Sequence, residues 1–379
     1  FGVQTMAQGR FGRGFGGGDD DDTKKNESGT YALHTLKEDE TIAKLATGIK
    51  RFKLPDEFNF LKIYQQVAAE SKDNWGESAL TQLAQVFENR RQYPTAAKSW
   101  QQNIKDFGAG PNNWKKERLD QVVGNWGSFE GVATQPAGQG ATVEFRYRNG
   151  KKVKFDARAI KVPELLADIK AYLKSDPGNR IDWNKINIGN IGYRLVNEGE
   201  TKYLGEATAA WEMDLEPREN HFDKRITVTT PLQKPGAYMV TATMADGNVS
   251  KIILWVADTA IVRKQLDGKT LYYIADAVTG APIPDANLEF FGWQQRHLGG
   301  NRYQVVTSNF AENTNADGMV TPDPKDLKQD GYQWLVTSTT KTGRFSFQGF
   351  LNVWNGRAHD QEYNQIKAFT MTDRPVYSP

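Results

Sequence analysis

The side chains best equipped for chemistry are few and scattered. Four histidines occur, His34, His221, His297 and His359. None has a second histidine or an acidic residue at a metal-ligand spacing, so each reads as a surface or interface residue. Asp214 and Glu216 share one strand face, a spacing open to an acid/base pair but routine on a solvated surface. There is no Gly-x-Ser-x-Gly elbow and no Gly-x-x-x-x-Gly-Lys-Ser/Thr loop. Gly12-Arg13-Gly14-Phe15-Gly16-Gly17 holds a Gly-x-Gly pattern, but it follows no strand and opens no helix. The sequence has no cysteine, which excludes disulfides, thiolate metal sites, a cysteine nucleophile and an internal thioester within it. Among the tryptophans, Trp100, Trp211, Trp255 and Trp334 sit in core-like patterns. Trp183, Trp293 and Trp354 are less constrained, and an exposed one would suit a sugar platform. No catalytic, cofactor-binding or metal-ligating residue is therefore assigned, and no enzyme activity.

The elements that would position these groups fall into segments. A length of 379 residues suggests two to four domains. Lys+Arg 48 against Asp+Glu 46 gives no face-wide basic field, which argues against a nucleic-acid partner. No apolar run approaches the ~20 residues that cross a bilayer. Residues 1–30 form a Gly/Asp-rich tail, expected to be disordered. Arg10, Phe11, Arg13 and Phe15 could stack on RNA or belong to a flexible tether. Asp19, Asp20, Asp21 and Asp22 read as a weak cation site, an interaction tail or a solvated stretch. The chain opens on Phe1 rather than Met and stops within a recognisable motif, so it reads as a piece of something larger.

Residues 31–123 carry helical periodicity. Phe60, Ile63, Tyr64 and Val67 predict one helix, with Asp56 as its N-cap. Leu80, Leu83, Ala84 and Phe87 predict a second over 77–91, and Ala96, Trp100 and Ile104 a third over 95–107. The last two resemble one tetratricopeptide repeat in their order of large, small and aromatic positions. That resemblance implies helical hairpins and leaves open a peptide partner at this segment.

From residue 128 the period changes to two. Val143, Phe145 and Tyr147 alternate, and Val153 and Phe155 follow Asn149-Gly150. A three-residue loop, Arg148-Asn149-Gly150, predicts a hairpin pairing Phe145 with Val153, with Gly150 in the left-handed region. A helix over 163–174 has Leu165, Leu166, Ile169, Tyr172 and Leu173 on its inner face. Strands are predicted over 192–196, 207–215, 225–228, 235–242 and 252–256. A second set follows Asp258: 260–262, 269–276, 286–290, 303–307, 318–321, 332–338 and 344–350. Short strands with frequent turn signals predict antiparallel sandwiches.

Three pieces near the end are more specific. Thr279-Gly280-Ala281-Pro282-Ile283-Pro284-Asp285-Ala286 is a tight turn and a Pro-stiffened rise into a strand. Thr314-Asn315-Ala316-Asp317-Gly318 is a second turn, and Thr372-Asp373-Arg374-Pro375-Val376-Tyr377-Ser378-Pro379 closes the chain. In this order they resemble motifs of bacterial alpha-2-macroglobulins, with Ser378 where that family usually has Arg. The resemblance implies an α+β multidomain chain: a helical segment at 31–123, then two antiparallel β-sandwiches of macroglobulin or immunoglobulin-like type at 128–258 and 259–367. The first carries the helix 163–174 as an insertion. Residues 368–379 would begin a further macroglobulin domain.

The resemblance also implies a role: scaffold in an exported, periplasmic or extracellular protein that traps endopeptidases after bait cleavage. Its partners would be target proteases, engaged through the full-length protein, and further macroglobulin domains. Bait and thioester would lie outside this sequence. Two other readings stay open, a structural or adhesive β-sandwich array at the cell surface and an accessory carbohydrate-binding module of a larger enzyme.

Overall fold

A computed structural model describes residues 30–45, 48–131, 134–188, 191–196, 199–266 and 268–353. The Gly/Asp-rich segment at 1–29, Trp354, His359 and the motif at 372–379 lie outside the described residues. The chain is α+β: a helical part followed by two antiparallel β-sandwiches, the first accompanied by a helix.

The helical part opens with a short 3-10 turn (Thr30–Thr35) and a hairpin of β1 (Glu40–Leu45) and β2 (Gly48–Lys53). The hairpin lies where periodicity alone predicts helix. Arg90 fixes it from the end of a neighbouring helix by donating to the carbonyls of Lys37 and Glu40. Four helices follow, α1 (Phe60–Glu70), α2 (Asn74–Asn89), α3 (Tyr93–Phe107) and α4 (Trp114–Val123).

The N-cap of α1 is Asn59, not Asp56. Its side chain accepts from the amides of Leu61 and Lys62, while Asp56 opens a separate 3-10 turn. That offset turns Leu61 and Ala68 inward and leaves Ile63 exposed, against the predicted face. Between α2 and α3 the two small residues Ala84 and Ala96 are fully buried, as is Trp100, whose indole donates to Glu88 at 2.6 Å. Small side chains at a helix contact permit close approach.

The first sandwich has two sheets. One is β3 (Trp126–Phe129), β5 (Thr142–Arg148) and β8 (Lys224–Thr229), with β5 in the centre. The other has the order β4 (Gln135–Pro136), β10 (Val249–Ala257), β9 (Gly236–Met244), β6 (Lys152–Ile160), β7 (Leu204–Asp214). Strands β5 and β6 do not form the expected hairpin. They lie in opposite sheets, and their apolar sides meet across the core, with Phe145 edge-on to Phe155 at 5.6 Å. Either arrangement buries the same alternating residues, so the pattern alone misassigns the pairing.

The left-handed residue in the turn is Asn149 (φ 60°), not Gly150. Its amide donates to the carbonyls of Val122 and Gly124 and so ties α4 to the sandwich. A Cβ on Gly150 would stand 2.1 Å from Cε of Met244, the flexible tip of that side chain, which would have to shift.

After β6 comes α5 (Val162–Lys174), with Leu165, Leu166, Ile169 and Leu173 buried as expected and Tyr172 only partly so. Two short helices follow, α6 (Trp183–Ile186) and α7 (Ile191–Val196). The second overturns the strand predicted over 192–196. Arg194 pins it by donating to Glu200 at 2.9 Å and to the carbonyl of Lys185 at 3.0 Å.

The second sandwich pairs a three-stranded sheet, β11 (Thr259–Leu266), β12 (Lys269–Asp276) and β15 (Met319–Val320), with a four-stranded one. The latter has the order β14 (Tyr303–Asn313), β13 (Asn287–His297), β16 (Gln333–Thr339), β17 (Phe345–Asn352). Every strand predicted after Asp258 is present.

Candidate functional site

Two faces of single strands define the region of interest. On β9, Tyr238, Val240, Ala242 and Met244 fill the interior of the first sandwich, while Ala237 and Met239 point the other way. Ala286 just before β13, and Leu288 and Phe290 on it, fill the second sandwich, while Phe291 and Trp293 point out of it. The two outward faces belong to the same buried cluster. Together with Leu165, Leu166, Ile169 and Leu173 of α5 they form one buried apolar cluster. The order through the molecule is therefore sheet, core, sheet, helix-filled core, sheet, core, sheet.

Polar contacts frame this middle layer. Lys170 on α5 reaches Glu289 on β13 at 2.6 Å, and Thr337 on β16 donates to the same carboxylate. The turn after α5 is tied to the second sandwich through backbone groups. Asp176 accepts from the amide of Val305 at 2.7 Å, Asn179 accepts from the amide of Tyr303 at 2.6 Å, and Gln295 donates to the carbonyl of Gly178 at 2.9 Å. Asp176 and Gly178 both take positive φ there, 52° and 55°.

Beside the layer lies a cleft of about 640 Å³, walled by Val162, Pro163, Trp255 and Phe347, with Asp258 and Arg344 at its polar side. Trp255 and Phe347, from different sandwiches, meet edge-on at 5.5 Å. Arg344 donates to Asp276 at 2.8 Å and to the carbonyl of Asp258. It thus grips both the connection between sandwiches and the Thr279-Gly280 turn. Asp276 also accepts from the amides of Val278 and Thr279 and from the Thr279 hydroxyl. The Arg344 guanidinium, with these donors, holds the Asp276 carboxyl well below the usual carboxylate range. Thr314 makes the matching contact at the other turn, donating to the carbonyl of Ile283 and accepting from the amide of Ala286.

The residues considered for chemistry are not brought together. His34 lies edge-on to Phe222, His221 contacts Asn149 at 2.8 Å, and His297 contacts the carbonyl of Gly300 at 2.7 Å. Asp214 ends β7, and Glu216 beyond it is almost fully exposed and near Lys224. Trp100 and Trp334 are buried, Trp183 is exposed, and Trp293 is buried in the middle layer. No group of three or more His, Cys, Asp or Glu side chains suited to a metal ion occurs among the described residues. No helix of the described residues is long and apolar enough to cross a membrane.

What the sequence reading missed is the partner of α5. The available signal was on β13, where Phe291 and Trp293 follow the polar positions Asn287 and Glu289 on the same face.

Solved structures similar to this one include fragments of bacterial alpha-2-macroglobulin. The Escherichia coli fragment spanning domains MG0-NIE-MG1 is 13% identical, covers 59% of this chain and 64% of its own length, and has a TM-score of 0.37. The fragment spanning NIE-MG1 is 14% identical, covers 60% of this chain and 97% of its own, and has a TM-score of 0.35. In the native E. coli alpha-2-macroglobulin seen by electron microscopy the match spans 12% of that chain, at 13% identity and a TM-score of 0.31. This chain thus spans less than two thirds of the first of these and a small part of the whole E. coli protein. No protein-family model and no curated protein matches the sequence.

Proposed function

We propose that this chain is a load-transmitting scaffold of an alpha-2-macroglobulin-like protease trap. On this reading residues 128–258 and 259–367 are two macroglobulin-type domains, 31–123 a helical segment before them, and 368–379 the opening of a third. The observation that carries the proposal is the middle layer. A trap that closes after bait cleavage must pass a displacement between domains, and packed interiors transmit strain because they resist compression. A flexible linker at Asp258 would absorb such a displacement, whereas a shared core with α5 as its filling passes it on. The ordered turn motifs around Gly280 and Gly318 support the macroglobulin assignment within this reading. The chain's own part is mechanical, and the whole protein would be exported and act on endopeptidases.

The test uses a natural polypeptide carrying this chain, mixed with trypsin-like and elastase-like endopeptidases. Hydrolysis of a large protein substrate should fall while that of a small chromogenic peptide persists, and this chain alone should leave both unchanged. If the longer polypeptide spares both substrates, the trap reading is wrong. Loss of large-substrate hydrolysis with this chain alone would contradict its assignment as scaffold.

A further inference from the structure

The long strand β7 ends the five-stranded sheet, so it pairs with β6 on one side and with no strand on the other. The register of the ladder fixes which backbone groups point outward. Leu215 donates to the Lys151 carbonyl at 2.8 Å. The bonds to β6 therefore fall on Met213, Trp211 and Ala209, and the amides and carbonyls of Glu212 and Ala210 point away from it. Among the described residues nothing meets those outward groups.

Other strand edges are covered by the chain itself. The outward amides of Tyr303 and Val305 on β14 donate to Asn179 and Asp176. Those of Gly127 and Phe129 on β3 donate to Asn248 and Ser250. Strands β11 and β17 are tied by Gln348, which donates to the Ile261 carbonyl at 2.9 Å, and by Arg263, which donates to the Asn352 carbonyl at 3.1 Å. Edge strand β8 has six residues and opens with Lys224 and Arg225, charges of the kind that discourage further pairing. By contrast β7 has eleven residues, with none charged between Glu206 and Glu212. Ala207, Thr208 and Ala210 are exposed. A register shift that leaves Thr208 without an opposite residue ends the flat stretch. Residues 209–214 are thus the part open to a further strand.

That stretch is complementary to itself. In an antiparallel pairing about Trp211, Glu212 of one copy lies opposite Ala210 of the other, and Met213 lies opposite Ala209, so large side chains meet small ones. Trp211 lies opposite its own twin at a non-hydrogen-bonded site, where Cα atoms stand about 4.5 Å apart and side chains come closest. The indole is stacked on Phe155 at 5.1 Å and is only half-buried, so pairing covers apolar area that a single chain leaves in water. Asp214 faces Thr208, so no like charges stand opposite, and Glu212 keeps Lys152 and Lys154 at 2.6 and 3.2 Å. We propose that two copies of this chain join by antiparallel pairing of β7 about Trp211, running the larger sheet of the first sandwich on from one copy into the other. The inference rests on the geometry of β7, independently of the trap reading.

Sedimentation velocity of the full chain should show a monomer–dimer equilibrium that shifts with concentration. Ala210→Pro removes an amide that makes no bond to β6, so the thermal midpoint should stay near that of the parent. By symmetry it deletes one bond between copies on each side of the axis, and the dissociation constant should rise about ten-fold or more. The absence of cysteine allows a check of the register. An equal mixture of Ala210→Cys chain and Glu212→Cys chain should form a disulfide-linked dimer under mild oxidation faster than either variant alone, because the paired Cα atoms would stand about 5.5 Å apart. A parent that stays monomeric throughout the concentration series would overturn the proposal and leave this edge to a different polypeptide. So would a dimer that Ala210→Pro does not weaken, or a mixture that crosslinks no faster than its components, since the contact would then lie elsewhere or in another register.

Discussion

The interior of the first sandwich and the middle layer are built from the two faces of the same five-stranded sheet, yet they do different things. The interior is closed by the sandwich's own strands: Val143, Phe145 and Tyr147 from one sheet meet Val153, Phe155 and Val240 from the other. The middle layer is completed only by residues from beyond Asp258, with Phe291, Trp293, Val305 and Leu335 against α5. A core of the first kind holds one sandwich together. A core of the second kind makes the stability of one sandwich depend on the other.

That contrast can be broken by substitution. Phe291→Ala, at a fully buried position of the middle layer, should cost about 3–5 kcal/mol. It should also split a single denaturant transition into two when followed by circular dichroism and tryptophan fluorescence. Phe145→Ala, equally buried in the first interior, should cost a similar ~3–5 kcal/mol yet release no amide of β13 or β14 to early hydrogen exchange. Matching behaviour of the two variants would erase the distinction.

A smaller effect is expected at Gly292, where a Cβ would stand 2.8 Å from the Trp334 ring. Gly292→Ala should overpack the second sandwich by about 1–3 kcal/mol while α5 keeps its exchange protection. Lys170→Met should cost about 1.5–3 kcal/mol, the scale of a hydrogen bond to a charged group, because Glu289 loses its cation. Its calorimetric signature should be a loosened coupling of the sandwiches rather than a weakened interior.

Two pH effects follow from single groups. Asp276 is depressed by Arg344 and the turn donors, so its contribution is complete above the ordinary carboxylate value near 4 and is lost as pH falls below it. Asp276→Asn should therefore lower stability at neutral pH, where that contribution is complete, and change little at the acid end, so that the acid limb of a stability-against-pH curve flattens. Tyr272, buried in the second interior, is pushed up to about 12 by burial, partly offset by Arg263. The folded state keeps that proton while the unfolded chain releases it from about pH 10. Stability should thus fall as pH rises from there, and absorbance of the phenolate should follow unfolding.

How far these features were legible in sequence depends on how local their causes are. In the second sandwich each strand carries its own alternation and each turn its own chemistry, such as Gly280 and Gly318 at φ 73° and 69° and Thr314 bridging two backbone groups. Those strands were readable one by one. In the first sandwich the alternation of β5 and β6 fits both a hairpin and two facing sheets, and only the nonlocal partner β8 decides. The β1–β2 hairpin is held by Arg90, some fifty residues away, and α7 by a buried arginine. The inner face of α5 was legible, but its destination was not, because nothing local to 163–174 names Phe291. The candidate site is therefore the least legible part: every strand forming it was visible, and the contact between them was not.

The most direct test of the central claim is native-state hydrogen exchange over a denaturant series, comparing core amides of β9 with those of β13. The shared core predicts a common opening free energy and a common denaturant slope for both strands. Separate isotherms, with β13 opening while β9 stays protected, would show that the two sandwiches are independent neighbours.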